Sequence, residues 1–136
     1  MNNNKNILVV DDSDDLTHVI AEFLSIHGYH VFTANDGCDA LERMEKKDVD
    51  AVVSDIHMPR MDGFTLMTEI KNRYPETPII LITGFSVSEA KKMAFEKGAD
   101  AFVAKPFHLK ELKNVIDSIF SAHQDKSELH NRRRIR

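Results

Sequence analysis

Five short apolar runs, each followed by a segment of helical period, constrain this chain more than any other feature. The runs are Ile7-Leu8-Val9-Val10, Tyr29 to Ala34, Ala51-Val52-Val53-Ser54, Pro78-Ile79-Ile80-Leu81-Ile82 and Ala101-Phe102-Val103-Ala104. Ile7 to Val10 and Ala51 to Ser54 lack the polar alternation of a half-exposed strand and read as strands buried on both faces, Pro78 to Ile82 reads as another buried strand, and Ala101 to Ala104 as a fifth. Tyr29 to Ala34 alternates and reads as a strand at the edge of the sheet. Strand and helix in strict alternation imply one parallel sheet with helices on both faces and right-handed crossovers.

The helical segments follow from spacing and punctuation. Leu16, Val19, Ile20, Phe23 and Leu24 follow i, i+3, i+4, i+7, i+8, and Gly28 stops that helix. Asp36-Gly37 turns into a helix carrying Ala40, Leu41 and Met44, with Lys46-Lys47 at its end, where cations suit the dipole. A loop of Pro59, Asp62 and Gly63 leads into a third, with Leu66, Met67 and Ile70 inward and Pro75 closing it. A weaker pattern from Val87 to Lys97 predicts a fourth, ended by Gly98, and Leu109, Leu112, Ile116 and Ile119 line the last.

A chain of 136 residues fits one domain with a single sizeable core. The composition shifts at Ala122 to Asp125, so residues 1–123 read as the folded domain and 124–136 as a basic, flexible tail. That tail is rich in Lys and Arg, which leaves the body more acidic than the net charge of −4 suggests, and an acidic body is no general nucleic-acid binder. Cys38 is the only cysteine, which excludes an internal disulfide and a Cys-rich metal site. No apolar stretch approaches the roughly 20 residues that a bilayer demands, so a cytoplasmic, reducing setting is expected.

Chemistry enters where the strands stop. The first ends at Asp11-Asp12, the third at Asp55, the fourth at Thr83-Gly84 and the fifth at Lys105-Pro106-Phe107. In a parallel sheet these carboxyl ends share one edge, where open α/β folds hold their ligands. Each residue has an ordinary reading alone: Asp12 or Ser13 as a helix N-cap, Asp55 as a turn residue, Lys105 as a salt-bridge partner of Asp55. Together they are harder to dismiss. Three crowded carboxylates remain ionised at neutral pH only beside a cation. Hard oxygen donors without His or thiolate favour Mg²⁺, which keeps positions for water and phosphate oxygens. A hydroxyl at Thr83 and an ammonium at Lys105 would then suit a transferred phosphoryl group, with Asp55 as its nucleophile and an aspartyl phosphate as product.

That set, with the segment Asp55-Ile56-His57-Met58-Pro59-Arg60-Met61-Asp62-Gly63, closely resembles the receiver domain of two-component response regulators, over roughly residues 5 to 123. The resemblance implies a flavodoxin-like (βα)5 fold with strand order 2-1-3-4-5; the order comes from the resemblance and not from the run lengths. It implies that Asp55 accepts a phosphoryl group from a sensor histidine kinase or a histidine phosphotransfer protein. Asp12, Asp55 and the main-chain carbonyl of His57 would hold Mg²⁺, with Asp11 binding it mostly through water. Thr83 would turn its hydroxyl to the phosphate, Lys105 would pair with it, and Phe102 would be the switch aromatic, here without a Tyr hydroxyl. His57 and Phe85 lie where the family tunes phosphoryl lifetime; a bulky Phe85 is expected to prolong it, while His57 either shares that role or serves simply as a carbonyl donor with an exposed ring.

The implied protein is a stand-alone receiver or relay intermediate: a phosphoacceptor that assists only its own phosphorylation and dephosphorylation, and signals to a downstream protein partner. It would be a monomer or a phosphorylation-dependent dimer, without direct contact to nucleic acid or membrane. A truncated DNA-binding regulator is the principal alternative, with Arg132-Arg133-Arg134-Ile135-Arg136 as the start of a linker. A dehalogenase-type phosphohydrolase would need an Asp at position 57, where His57 stands. A flavodoxin would need a hydroxyl- and glycine-rich loop where Asp11-Asp12-Ser13-Asp14-Asp15 stands.

Overall fold

A computed structural model of the chain describes residues 5–84 and 98–134; of Thr83 and of residues 123–134 it describes the backbone alone. The elements run β1 (Asn6–Val10), α1 (Asp14–Ile26), β2 (His30–Ala34), α2 (Gly37–Lys46), β3 (Ala51–Asp55), α3 (Gly63–Arg73), β4 (Ile79–Thr83), β5 (Ala101–Ala104) and α4 (Leu109–Arg134). All five strands pair in parallel in the order β2-β1-β3-β4-β5. The alternating strand lies on an edge, as its pattern predicts. The helix predicted from Val87 to Lys97 lies outside the described residues. Gly98, which was to end it, has a φ of 105°, in the left-handed region that glycine enters without steric cost.

Two cores lie on the two faces of the sheet because successive strand residues point in opposite directions. Leu8, Val10, Val52 and Leu81 meet Leu41, Met44, Leu66, Met67 and Ile70 of α2 and α3. Ile7, Val9, Val53, Ile80 and Val103 meet Ile20 and Leu24 of α1 and Leu112 and Ile116 of α4. The central strands β1, β3 and β4 are sealed on both sides, and each Ile, Leu or Val so buried stabilises the fold by about 1.5–3 kcal/mol.

The helix termini match their sequence signals. Ser13 caps α1 by accepting from the Leu16 N–H, Asp36 caps α2 by accepting from Asp39, and Asp62 caps α3 by accepting from Thr65. One face differs from expectation. In α1 the buried positions are Thr17, Ile20 and Leu24, while Val19 is 47% exposed. At about 100° per residue, Val19 stands a quarter-turn from Ile20, and the helix is rolled towards Thr17. Thr17 tolerates burial because its hydroxyl donates to the Asp14 carbonyl at 3.0 Å.

α4 continues to Arg134, through the segment whose composition separates it from the body. Among the described residues no helix is long and apolar enough to cross a membrane.

Candidate functional site

The strand register brings the expected residues to one edge. Val10 pairs with Ser54, Asp55 with Ile82, and Thr83 with Ala104. Asp11 therefore stands level with Asp55, and Lys105 follows one step past the end of β5. The ladder extends beyond the strands: the Asp11 N–H donates to the Ala34 carbonyl at 3.2 Å, and the Ile56 N–H to that of Ile82 at 3.1 Å. These bonds hold the backbone on either side of the acidic edge.

Asp11 and Asp55 are buried, with 3% and 7% of their surfaces exposed, whereas Asp12 is exposed. One carboxylate oxygen from each of the three lies within 4.8 Å of the others. Lys105 Nζ reaches between the two buried acids, 3.5 Å from Asp55 Oδ2 and 3.6 Å from Asp11 Oδ2. Those separations are ionic contacts longer than a hydrogen bond. Gly84 lies beside it, since a Cβ there would stand 3.8 Å from Lys105 Cβ, an ordinary contact.

Asp11 carries the strain of this crowding. Burial raises its carboxyl above the ordinary carboxylate range, against the lowering effect of the Ser13 N–H, which donates to Oδ1 at 2.9 Å. The Asp55 charge raises it further and the Lys105 ammonium lowers it. Three carboxylates against one ammonium leave an excess of negative charge on hard oxygens, and that donor set fits Mg²⁺.

The loop after β3 folds back on itself. The Gly63 N–H donates to the Ile56 carbonyl at 2.8 Å, and a Cβ on Gly63 would stand 2.4 Å from the Asp55 carbonyl oxygen. Only glycine permits so close an approach of α3 to the end of β3. His57 is exposed two residues past Asp55. Phe102 is partly buried on β5 and packs against the core beneath α2 and α3. Thr83 ends β4 as expected, but its side chain and all of Phe85 lie outside the described residues.

One pair at this edge has no counterpart in the sequence reading. Arg60 donates from both Nε and a terminal guanidinium nitrogen to Asp36 Oδ2, with Nε at 2.8 Å. The Asp39 amide, then the Arg60 side chain, hold the Asp36 carboxyl below its usual range in spite of its burial. These residues are 24 apart in sequence, and no local pattern announces their contact.

The family model of the response regulator receiver domain matches residues 7–117. The chain belongs to that family. The receiver is 37% identical over 115 residues to the sensor histidine kinase RcsC of Salmonella typhi, a match covering 85% of this chain and 12% of that protein. It is 33% identical over 125 residues to the DNA-binding transcriptional regulator NtrC of Escherichia coli strain K12, covering 92% of this chain and 27% of that one. The receiver thus spans less than a third of these curated relatives.

Among solved structures, the receiver domain of NtrX from Brucella abortus superposes with a TM-score of 0.78 at 36% identity, over 82% of this chain and 95% of that one. The chemotaxis protein CheY4 of Vibrio cholerae gives 0.79 at 32% identity, over 84% and 97%. Receiver domains are signalling modules of two-component systems. They bind Mg²⁺ at an acidic pocket, are phosphorylated by histidine kinases and act on downstream partners.

Proposed function

We propose that this receiver accepts a phosphoryl group on Asp55 from a phosphohistidine of a sensor kinase or a histidine phosphotransfer protein, and passes the resulting change of shape to a protein partner. The placing of the Lys105 ammonium between Asp55 and Asp11 carries this reading. It puts a fixed positive charge where the phosphoryl oxygens of an aspartyl phosphate would lie. An Asp55 carboxylate oxygen forms the new bond to phosphorus as the phosphorus–nitrogen bond breaks, and the imidazole leaves with the electron pair. Asp12, Asp55 and the His57 carbonyl are the proposed Mg²⁺ ligands, with Asp11 acting mainly through water. When bound, Mg²⁺ neutralises phosphoryl oxygens that the acidic edge would otherwise repel.

Thr83 is assigned to the phosphate, and Phe102 to the switch that follows it. Phe85 is assigned to phosphoryl lifetime, and Phe85→Ala is expected to shorten it; His57 lies at the other position that tunes lifetime and serves first as the carbonyl donor. Turnover of an external substrate forms no part of this role. Residues 1–123 form the receiver unit in this reading, with 124–136 as a basic extension.

The test is intact mass after incubation with Mg²⁺ and a small phosphodonor. Wild type gains one phosphoryl group, and Asp55→Asn or wild type in EDTA gains none. An equal gain in Asp55→Asn overturns the assignment.

The 27% coverage of a relative named as a DNA-binding transcriptional regulator supports a second reading, in which the same receiver controls an attached output domain. Light scattering before and after phosphorylation separates a change of oligomer from signalling as a monomer.

A further inference from the structure

Arg60 has a φ of 67°, the only non-glycine residue in the left-handed region among those described. A glycine would adopt this conformation freely, so the side chain present must gain something from it. It gains Asp36. The carboxylate of Asp36 is divided between two tasks: Oδ1 accepts from the Asp39 N–H and caps α2, while Oδ2 receives the Arg60 guanidinium. A second contact joins the same two loops. The side chain of Met61 covers Gly37, where a Cβ would lie 2.7 to 2.9 Å from Met61 Sδ, Cγ and Cβ.

The loop thus pinned is the one that leaves Asp55. It runs from Ile56, tied by the Ile82 carbonyl at one end, to Gly63, which donates to the Ile56 carbonyl at the other. The His57 side chain between these ties is exposed, and on the near side of Pro59 its neighbour Met58 is partly buried against the core beneath α2 and α3. The latch from Arg60 to the start of α2 is the side-chain restraint nearest to it on the far side of Pro59.

We infer that Arg60 is a positioning residue for the divalent-cation site: its ion pair with Asp36 fixes the loop that aims the His57 carbonyl at the ion. This rests on the assignment of that carbonyl as a ligand. Arg60 does not touch the phosphoryl group or the ion and acts only through the loop. Groups bonded directly to a ligand typically change metal affinity by about 10–100-fold when removed; Arg60 acts one step further out and its side chain is 64% exposed, so the lower figure is the most that it should contribute.

The experiment is calorimetric titration of Mg²⁺ into wild type, Asp36→Asn, Arg60→Gly, Arg60→Ala, Arg60→Lys and the Asp36→Asn/Arg60→Gly double variant. Far-UV circular dichroism and urea midpoints confirm that each is folded. Asn at 36 keeps an oxygen to cap α2 while removing the charge pair. Gly at 60 removes the guanidinium while relieving the backbone. Both are expected to weaken Mg²⁺ by up to about tenfold, the double variant no more than either alone, and Arg60→Lys to recover part of the loss.

Hydrogen exchange of the amides from His57 to Gly63, in metal-free protein, should quicken in the same variants. Affinities within twofold of wild type in both Asp36→Asn and Arg60→Gly overturn the inference and leave the phosphoacceptor reading intact. Wild-type affinity in Arg60→Gly with loss in Arg60→Ala also overturns it, since backbone conformation would then suffice. If wild type itself takes up no Mg²⁺, the assignment of the cation site falls and this inference with it.

Discussion

Lys105 and Asp55 face each other across the end of the sheet, ammonium to carboxylate at 3.5 Å, with Asp11 3.6 Å from the same nitrogen. The lysine thus offsets repulsion between two buried acids before any divalent cation arrives. Its own side chain is 32% exposed, so solvent screens part of that effect.

Lys105→Ala should therefore destabilise the metal-free protein by about 1 kcal/mol, less than the loss of a partner in a dry pair. Mg²⁺ should restore stability by a larger increment in the variant than in wild type, because the competing cation is gone. Urea unfolding in EDTA and in saturating Mg²⁺ measures both. Phosphoryl uptake from a small donor should slow by about a hundredfold, as expected when one fixed charge is withdrawn from the developing anion.

Asp11 supplies the pH dependence. Burial and the Asp55 charge raise its carboxyl above 3.8, so the folded chain holds that proton more tightly than the unfolded chain. The contribution is fully present below the unfolded value and is lost as pH rises through the folded one; at neutral pH the ionised Asp11 is a cost. Asp11→Asn should raise the urea midpoint in EDTA at pH 7, and the gain should shrink as pH falls towards 4. The same variant should respond less to Mg²⁺. A midpoint at or below that of wild type at pH 7 would show that the Ser13 and Lys105 contacts outweigh burial.

Most of the architecture is legible in the chain because the runs of Ile, Leu and Val in β1, β3 and β4 have only one use. The acidic edge is legible for a related reason: parallel strands put Asp11, Asp55 and Lys105 at the same end whatever their spacing. The roll of α1 is not legible. Hydrophobicity places Val19 inward, while the observed face depends on Thr17 satisfying its hydroxyl within its own helix. The Asp36 and Arg60 pair is hidden for a different reason, since it joins two loops through a backbone angle that no neighbouring residue signals.

The roll of α1 makes a direct prediction. Ile20 is 1% exposed and packs beneath the sheet, so Ile20→Ala should cost about 2–5 kcal/mol. Val19→Ala, at an exposed position, should stay within about 0.5 kcal/mol of wild type. Chemical denaturation of the two variants decides between the observed face and the one that apolar spacing alone suggests. Similar losses at both sites would mean that Val19 is covered in solution.

Gly63 ties fold and chemistry together most tightly. A methyl group there would meet the Asp55 carbonyl oxygen at 2.4 Å and Ile56 Cα at 2.8 Å, both backbone atoms of the segment that carries the proposed acceptor. No side-chain rotation relieves such a contact, so either α3 withdraws or the end of β3 moves. Gly63→Ala should therefore destabilise the receiver by about 1–3 kcal/mol or more. The displaced backbone includes Asp55 itself, so Mg²⁺ affinity and phosphoryl uptake should fall together in the fraction that remains folded. Gly84→Ala is the matching control at the same edge, because among the described residues its methyl would meet only Lys105 Cβ at 3.8 Å. A Gly63→Ala variant as stable as the Gly84→Ala control would mean that α3 can slide along the sheet without moving Asp55.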